Sequence, residues 1–285
     1  VPINDSHQLV SNSLPVCVLI LACDRPKELN IALTSWSKLS GLPVTISMDC
    51  ESHESDVVVA DWLGKQPLWS KMDSFQRLIK EPPSEETITR HWVSALTIMF
   101  QRPECDYVIY AEEDHIVSDD FFDSAKTLIS AFDTCPTCWS MNMGCHRDCW
   151  GKRENNPSAV IRMESGNMGV IYTREGFQTF MNHIDTFCDM LGNWDTNVHT
   201  MAALGHIKPH SLTFLQPRIH HLSTCHSSRT GVTHNRNCDW SKETVDFFSK
   251  ERRLHEPLVD RGVALFRPGA KTYARAPALT KQRCL

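Results

Sequence analysis

The sequence predicts an α/β fold in which helices flank a central, mainly parallel β-sheet. Short apolar runs rich in β-branched residues alternate with segments whose apolar residues recur at helical spacing. Strands buried on both faces produce such continuous runs, and strand–helix alternation is typical of a parallel sheet. The clearest strands are VCVLILA (16–22), LPVTISMD (42–49) and DYVIYA (106–111).

Each of these strands has a predicted helix near it. Pro26 suits the first position of a helix, and Leu29, Leu33 and Trp36 follow it at helical spacing. The segment that begins at Ser84 carries an apolar helical face and has a capping residue at its start. This helix is predicted at 84–101. The other helices of the first half are predicted at 55–64 and 119–132.

The second half is more irregular, although it again predicts both strands and helices. The strands are predicted at 139–144, 167–173 and 210–223, and the helices at 173–184 and 192–205. No linker divides the chain into two self-sufficient halves. We therefore expect a single domain over residues 15–285, preceded by a stem remnant at 1–14.

The composition argues against two classes of partner. The chain has 285 residues, 41% of them apolar and 22% charged, which is ordinary for a globular protein. The net charge of −5 argues against wrapping nucleic acid or lying on an anionic membrane. No stretch approaches the roughly 20 apolar residues of a membrane span, so a membrane link is expected only through an N-terminal anchor outside this chain.

Twelve cysteines, an even number, favour disulfides formed in a secretory compartment. The spacing Cys135-x2-Cys138 followed by Cys145-x3-Cys149 also occurs in zinc sites, which leaves zinc binding as an alternative. A structural zinc site requires a compact module, whereas these cysteines lie between predicted strands of a larger fold. The sequence therefore favours disulfides here.

Three acidic residues, Glu112, Glu113 and Asp114, follow the buried strand at 106–111. Adjacent carboxylates repel one another and are seldom buried unpaired, so either a bound cation or full solvation is required. Polar residues also follow the other two strands, in Asp24-Arg25 and Asp49-Cys50-Glu51. Ligands of parallel sheets bind at the carboxyl ends of the strands, which predicts one crevice with a metal beside the acidic triplet.

The order of several motifs resembles that of the Golgi β-1,2-N-acetylglucosaminyltransferases of N-glycan assembly. The segments LACDRP, ISMDCESHES and TRHWVSAL are similar to the transferase I branch. From residue 107 onward, EEDH with DFF, CPTC, NMGVIYTREGFQTF, DTFC, NWDTNV and PRIHHL resemble the transferase II branch. The resemblance implies a disulfide-bonded GT-A fold, a place in the Golgi lumen, UDP-GlcNAc as the donor and a mannose-terminated N-glycan as the acceptor.

The resemblance also implies a metal site and a catalytic base. Asp114 and His221 would coordinate Mn²⁺, and Asp195 would be the base of an inverting transfer. This chemistry is sound, because a carboxylate with an imidazole suits Mn²⁺, and an inverting transfer needs one carboxylate to accept the proton of the acceptor hydroxyl. Alternatives stay open, since an Asp in the first turn of a helix favours the macrodipole and His221 lies among other histidines.

Five further residues are implied to hold the nucleotide sugar. At the uridine end they are Arg25, Asp49 and His91; near the ribose and diphosphate they are Glu112 and Glu113. By the same resemblance, residues 15–120 would form the nucleotide-sugar-binding half and 121–285 the acceptor-binding and catalytic half.

Six disulfides are predicted. Cys23 and Cys50 are expected to pair because each ends one of two neighbouring strands. Cys17 and Cys105 each lie at the start of a buried strand, so they are expected to pair at the opposite edge of the sheet. The resemblance to transferase II implies Cys135–Cys138, Cys188–Cys284 and Cys225–Cys238. Cys145 and Cys149 remain as the last pair.

Two classes of function fit these observations. The first is a Mn²⁺-dependent inverting glycosyltransferase that moves N-acetylglucosamine from UDP-GlcNAc, in β-1,2 linkage, to a mannose of an N-glycan. The second is a non-catalytic glycan-binding or scaffold protein that retains the fold. Binding of UDP with and without Mn²⁺ distinguishes them.

Overall fold

Strands and helices alternate along the chain, as the sequence predicts. The computed structural model describes residues 14–39, 41–73, 85–144, 160–164, 168–190, 193–214, 216–222 and 264–265. In chain order the described elements are β1 (Val16–Ala22), α1 (Pro26–Trp36), β2 (Val44–Met48), α2 (His53–Lys65), β3 (Trp69–Asp73), α3 (Glu85–Gln101), β4 (Tyr107–Glu112), β5 (His115–Val117), α4 (Phe121–Phe132), β6 (Cys138–Asn142), β7 (Val160–Glu164), β8 (Val170–Thr173), α5 (Arg174–Met181), α6 (Ile184–Cys188), α7 (Trp194–Ala203), β9 (His210–Phe214), β10 (Ile219–His221) and β11 (Ala264–Leu265).

Nine of the described strands form one sheet, in the order β11-β7-β9-β6-β8-β4-β1-β2-β3. Strand β1 is parallel to both β2 and β4, and β2 is parallel to β3. Strand β8 is antiparallel to both β4 and β6, and β7 is antiparallel to β9. Because the other pairings, β6–β9 and β11–β7, are parallel, the prediction of a mainly parallel sheet is confirmed.

Both faces of the sheet are covered, which explains why β1 is apolar along its whole length. Val18 and Ile20 pack on one face, in a cluster that includes Trp36 of α1. Leu19 packs on the opposite face, with Trp92 of α3. Successive side chains of a strand point to opposite faces, so a strand between two helical layers needs apolar residues at every position.

The strand order places a crevice at the carboxyl ends of β1 and β4. From β1 the chain proceeds outward through β2 to β3, and it then returns to add β4 on the other side of β1. Such a reversal of strand order separates the connections that leave the two adjacent strands, and ligands of open α/β sheets bind there. Residues 23–25 and 112–114 lie at this switch point.

A two-stranded antiparallel sheet of β5 and β10 lies beside the switch point. Its register sets His221 opposite His115 and Ile219 opposite Val117. Arg218, which is fully buried, anchors β10 because its Nε donates to Asp120 Oδ2 at 2.9 Å. The fold therefore brings His221 next to Asp114 of the acidic triplet, although the two residues are far apart in the sequence.

Three predicted disulfides are present: Cys17–Cys105, Cys23–Cys50 and Cys135–Cys138. The alternative of a zinc site built on Cys135 and Cys138 is therefore wrong, because their sulfurs are bonded to each other. Cys188 is also disulfide-bonded, and the predicted partner, Cys284, lies outside the described residues. The remaining predicted pairs, Cys225–Cys238 and Cys145–Cys149, lie outside them as well.

Some predicted boundaries were wrong. The strand expected at 210–223 is two strands in different sheets, β9 and β10, because Pro217 cannot donate to a strand ladder. The helix expected at 173–184 ends at Met181, and a second short helix, α6, follows it. Within the part of the chain that the structure describes, no helix has the length and apolar character needed to cross a membrane.

Candidate active site

The first two carboxylates of the acidic triplet have different partners. Glu112 Oε1 accepts a hydrogen bond from the Tyr110 hydroxyl at 2.7 Å. Burial, and then the negative charge of Asp114, raises the pKa of Glu112. Glu113 Oε2 accepts from the backbone N–H of Cys23 at 2.7 Å, and its Oε1 accepts from Arg25 Nε at 2.7 Å. Glu113 therefore ties the end of β4 to the end of β1.

Asp114 is the most deeply buried member of the triplet, with no exposed surface. Its Oδ2 accepts from Arg25 Nη1 and lies 3.2 Å from His221 Nε2. Burial alone would raise the pKa of Asp114, but the positive charges of His221 and Arg25 lower it to about 2. Asp114 is thus held as a carboxylate at neutral pH.

The environment of Asp114 has the features of a cation site. Among the described residues, its Oδ1 is buried and has no hydrogen-bond partner. Ligand atoms of Asp114, His115 and His221 lie within 4.8 Å of one another. A buried carboxylate oxygen without a partner is costly unless a cation or donor meets it. A donor set of a carboxylate and an imidazole suits Mn²⁺.

The two histidines of this group differ in exposure and in bonding. The side chain of His221 is 41% exposed, so it faces the open side of the crevice. His115 is buried, and its Nδ1 accepts from the backbone N–H of Glu112 at 3.0 Å. The proton of a neutral His115 is therefore on Nε2, which lies 3.9 Å from Asp114 Oδ1. This distance is too long for a hydrogen bond, and in that state neither ring nitrogen of His115 has a free lone pair to offer a metal.

Asp49 and His91 form a second group, at the carboxyl end of β2. His91 Nδ1 lies 3.1 Å from Asp49 Oδ2, and both side chains are at most 5% exposed. The backbone N–H of Asp49 donates to Ala22 O at 3.2 Å, and the Cys23–Cys50 disulfide links the two strand ends. The predicted uridine-binding residues Arg25 and Asp49 therefore follow neighbouring, cross-linked strands.

Asp195 lies in the first turn of α7, where its Oδ1 accepts from the backbone N–H of Thr196 at 2.7 Å. The adjacent Trp194 stacks on Trp92, with ring centroids 5.1 Å apart, and meets Tyr110 edge-on. Burial, the charge and hydrogen bond of Glu112, and also the charge of Asp195 raise the pKa of Tyr110. Trp194, at the start of α7, therefore lies against Tyr110, which donates to Glu112.

The structure brings four of the eight predicted site residues into one contacting cluster. Arg25, Glu113, Asp114 and His221 form one connected cluster, with Glu112 beside it. Asp49 and His91 form a second group, which a backbone hydrogen bond and the Cys23–Cys50 disulfide link to the end of β1. Asp195 lies on α7, whose Trp194 contacts Tyr110. The roles of these residues toward a metal, donor or base remain predictions.

Sequence reasoning missed three residues at the site: Tyr110, His115, and Ser47, whose Oγ lies 2.8 Å from His91 Nε2. His115 stands directly after the acidic triplet, and this position was the signal that could have revealed it. Ser47 and Tyr110 lie within apolar strands, where a polar side chain gives no separate signal.

These features define a class: an α/β protein with a carboxylate–imidazole site at the switch point of its sheet. The chain belongs to the N-acetylglucosaminyltransferase II (MGAT2) family, which matches it over residues 73–267. Family membership and the helix-flanked, mainly parallel sheet agree with the GT-A type of fold that the resemblance implied.

Several curated relatives are Alpha-1,6-mannosyl-glycoprotein 2-beta-N-acetylglucosaminyltransferases. The protein of Mus musculus is 27% identical over 171 residues, and that of Homo sapiens is 26% identical over 170 residues. Each match covers 56% of this chain and 37% of the relative, so it spans little more than a third of the relative's length. One similar solved structure is that of the mannosyltransferase PcManGT from Pyrobaculum calidifontis in complex with GDP-Man and Mn²⁺. The TM-score is 0.46 and the sequence identity 13%, and the match covers 70% of this chain and 54% of that chain.

Proposed function

We propose that this chain is an inverting, Mn²⁺-dependent glycosyltransferase that moves N-acetylglucosamine from UDP-GlcNAc, in β-1,2 linkage, to a mannose of an N-glycan. The observation that carries the proposal is the buried carboxylate of Asp114. It stands opposite His221 at the switch point, with one oxygen that has no hydrogen-bond partner among the described residues. In a chain of this family, such a carboxylate supports a metal-assisted sugar-nucleotide site.

Asp114 and His221 would hold the Mn²⁺. When bound, the metal would act as a Lewis acid that neutralises the negative charge of the leaving diphosphate. Arg25 already pairs with Asp114, and the charges of Asp114 and Glu113 raise the pKa of Arg25 although burial opposes this. Arg25 therefore stays cationic beside the site, where a diphosphate also needs positive charge.

Asp195 would accept the proton in the transfer step. The acceptor hydroxyl oxygen bonds to the anomeric carbon from the face opposite the diphosphate, and its proton passes to the Asp195 carboxylate. The bond between the anomeric carbon and the β-phosphate oxygen breaks, and UDP leaves with the electron pair. Attack from the opposite face inverts the anomeric centre, which gives the β-linkage.

The donor would lie across the ends of β1, β2 and β4. Asp49, His91 and Arg25 are proposed at the uridine end, and Glu112 and Glu113 near the ribose and diphosphate. In the structure Glu113 is fully engaged with Cys23 and Arg25, which supports a role in fixing the arginine. The mannose-terminated acceptor is proposed from the relatives' names, which include a mannosyl-glycoprotein. A place in the Golgi lumen is proposed from the family resemblance, and the disulfides fit an oxidising compartment.

Calorimetric titration with UDP, in Mn²⁺ and in EDTA, tests the proposed site. We expect Mn²⁺ to strengthen UDP binding in the parent protein. Asp114→Ala should abolish this Mn²⁺ effect, and His221→Ala should weaken Mn²⁺ affinity while the protein stays folded. Asp123→Ala is the matched control, because that carboxylate is 74% exposed on α4 and should leave binding unchanged.

Two results would contradict the proposed site. Equal UDP affinity of the parent and Asp114→Ala in Mn²⁺ would show that Asp114 is not a metal ligand. Unchanged Mn²⁺ dependence in His221→Ala would show that this imidazole has only a structural part.

A further inference from the structure

The backbone of β5 faces two sides of the small antiparallel sheet. Toward β10, the N–H of Ser118 donates to Arg218 O at 2.9 Å, directly beyond the residues that pair in the β5–β10 register. Residue pairs of an antiparallel sheet alternate between those that exchange backbone hydrogen bonds and those that do not. Counted back from Ser118, His115 and Val117 are of the second kind, so their N–H and C=O groups point away from β10.

Helix α1 bonds these outward-pointing groups. Trp36 Nε1 donates to His115 O at 3.0 Å, and the N–H of Val117 donates to Ser35 Oγ at 3.1 Å. The Ser35 hydroxyl gives its own hydrogen to Ala32 O at 2.7 Å, so its oxygen can accept from β5. Two adjacent side chains of α1 thus take the place of a third strand beside β5.

The contact between α1 and the two-stranded sheet is buried. Ser35 is 3% exposed and Trp36 is 1% exposed. Ile31, one turn earlier in α1, packs against Ile116 of β5 and against Leu222, which follows β10. Because two strands alone are marginally stable in water, this sheet depends on the helix that packs on it.

The same sheet carries the two proposed metal ligands. His221 of β10 lies opposite His115, in a pair without backbone hydrogen bonds, where facing side chains are closer together. Asp114 directly precedes β5, and its Oδ2 lies 3.2 Å from His221 Nε2. A displacement of β5 relative to β10 therefore changes the distance between the carboxylate and the imidazole.

We propose that Ser35 and Trp36 are positioning residues, which hold β5 so that Asp114 and His221 lie close enough to share one divalent cation. This inference rests on the proposed function and deepens it, because it assigns part of the Mn²⁺ affinity to residues that bond the backbone beside the ligands. Groups behind the ligands of a metal site affect its affinity because they fix the direction of the ligands.

Trp36→Phe tests the inference, with Trp62→Phe as the matched control. Phenylalanine keeps an aromatic ring at the position and loses the N–H. The indole N–H of Trp62 also bonds α1, at Asn30 Oδ1 at 3.0 Å, but it comes from α2 and not from the side of β5. Mn²⁺ is titrated into each protein in the presence of UDP, and the free ion is measured by electron paramagnetic resonance. Trp36→Phe should weaken Mn²⁺ binding about threefold to tenfold, as expected for one lost hydrogen bond, whereas Trp62→Phe should keep the parent's affinity.

Ser35→Ala removes the other bond to β5 with a smaller change of volume. We expect it to weaken Mn²⁺ binding to a similar degree, because Val117 loses its acceptor on α1. Its control is Ser37→Ala, since the Ser37 hydroxyl donates to Thr34 O at 2.8 Å, in an exposed position at the end of α1. If Trp36→Phe does not fold, the comparison of Ser35→Ala with Ser37→Ala decides alone.

The free energy of unfolding is measured beside the metal affinity, because a purely structural loss changes only the former. Mn²⁺ binding is recorded far below the unfolding midpoint, at a temperature where circular dichroism shows each variant to be folded. Lower stability alone then leaves the Mn²⁺ affinity at the parent's value.

The outcomes separate the positioning role from the proposed function. If the parent binds Mn²⁺ with UDP and the variants at Ser35 and Trp36 keep its affinity, the positioning role is wrong and the proposed function is untouched. If the control variants weaken Mn²⁺ binding as much, the effect is general and the inference fails. If the parent binds no Mn²⁺ in the presence of UDP, the proposed function fails and this inference fails with it.

Discussion

Replacing Asp114 by asparagine removes the buried charge that organises the candidate metal site. In the folded protein the pKa of this carboxyl falls from 3.8 to about 2, because His221 and Arg25 outweigh the effect of burial. At about 1.4 kcal/mol per pKa unit, this shift corresponds to about 2 kcal/mol of stability at neutral pH. A carboxyl whose pKa is lowered by folding stabilises the protein above its unfolded pKa, and this stabilisation is lost as pH falls toward the folded pKa.

The assay is denaturant unfolding of the parent and Asp114→Asn in EDTA, at pH 7 and at pH 3. The parent should be the more stable protein at pH 7, and the difference in the free energy of unfolding should narrow by about 1 kcal/mol at pH 3. Asp123→Asn, which changes an exposed carboxylate, should stay within about 0.5 kcal/mol of the parent at pH 7. A parent–variant difference that is equal at the two pH values would refute the claim that Arg25 and His221 hold Asp114 ionised.

Three other substitutions test the base and the elements that carry the site. Asp195→Asn should lower turnover by about 10² to 10⁴-fold and leave UDP binding intact, since a general base acts on the acceptor hydroxyl; near-equal kcat would reduce Asp195 to a helix-start residue. Arg218→Ala leaves Asp120 without its buried partner and should cost about 3 to 5 kcal/mol in denaturant unfolding, whereas a loss below 1 kcal/mol would contradict this anchoring of β10. Gly144→Ala would place a Cβ 2.5 Å from Met168 Cβ and 2.8 Å from Ile219 Cγ2, so we expect a loss of about 1 to 3 kcal/mol, and an unchanged Tm would refute the close packing.

The parallel core was predictable because burial on both faces leaves a plain signal in the sequence. The predicted bounds of β1 agree with the structure to the residue, and β2 and β4 differ by one or two residues at their ends. Strand β3, WSKMD, was missed because it is an edge strand of the described sheet and three of its five residues are polar. Its sequence does not differ from that of a surface loop.

The site was predictable only in part, because its members come from strand ends and from long-range pairing. Strand-end reasoning placed Arg25 and the acidic triplet in one crevice, and they are in contact. The pairing of His221 with Asp114 depends on the β5–β10 register, which local sequence does not encode; only the family resemblance pointed to it. The domain bounds and the chemical roles of the site residues stay predictions.

The most direct test of the central claim is a transfer assay with UDP-GlcNAc and a mannose-terminated N-glycan. The product mass and glycosidic linkage are measured in Mn²⁺ and in EDTA. We expect one added N-acetylglucosamine, in β-1,2 linkage to mannose, in Mn²⁺ and almost none in EDTA or with Asp195→Asn. A parent protein that binds UDP with Mn²⁺ but forms no such product would contradict the account and favour a non-catalytic glycan-binding protein.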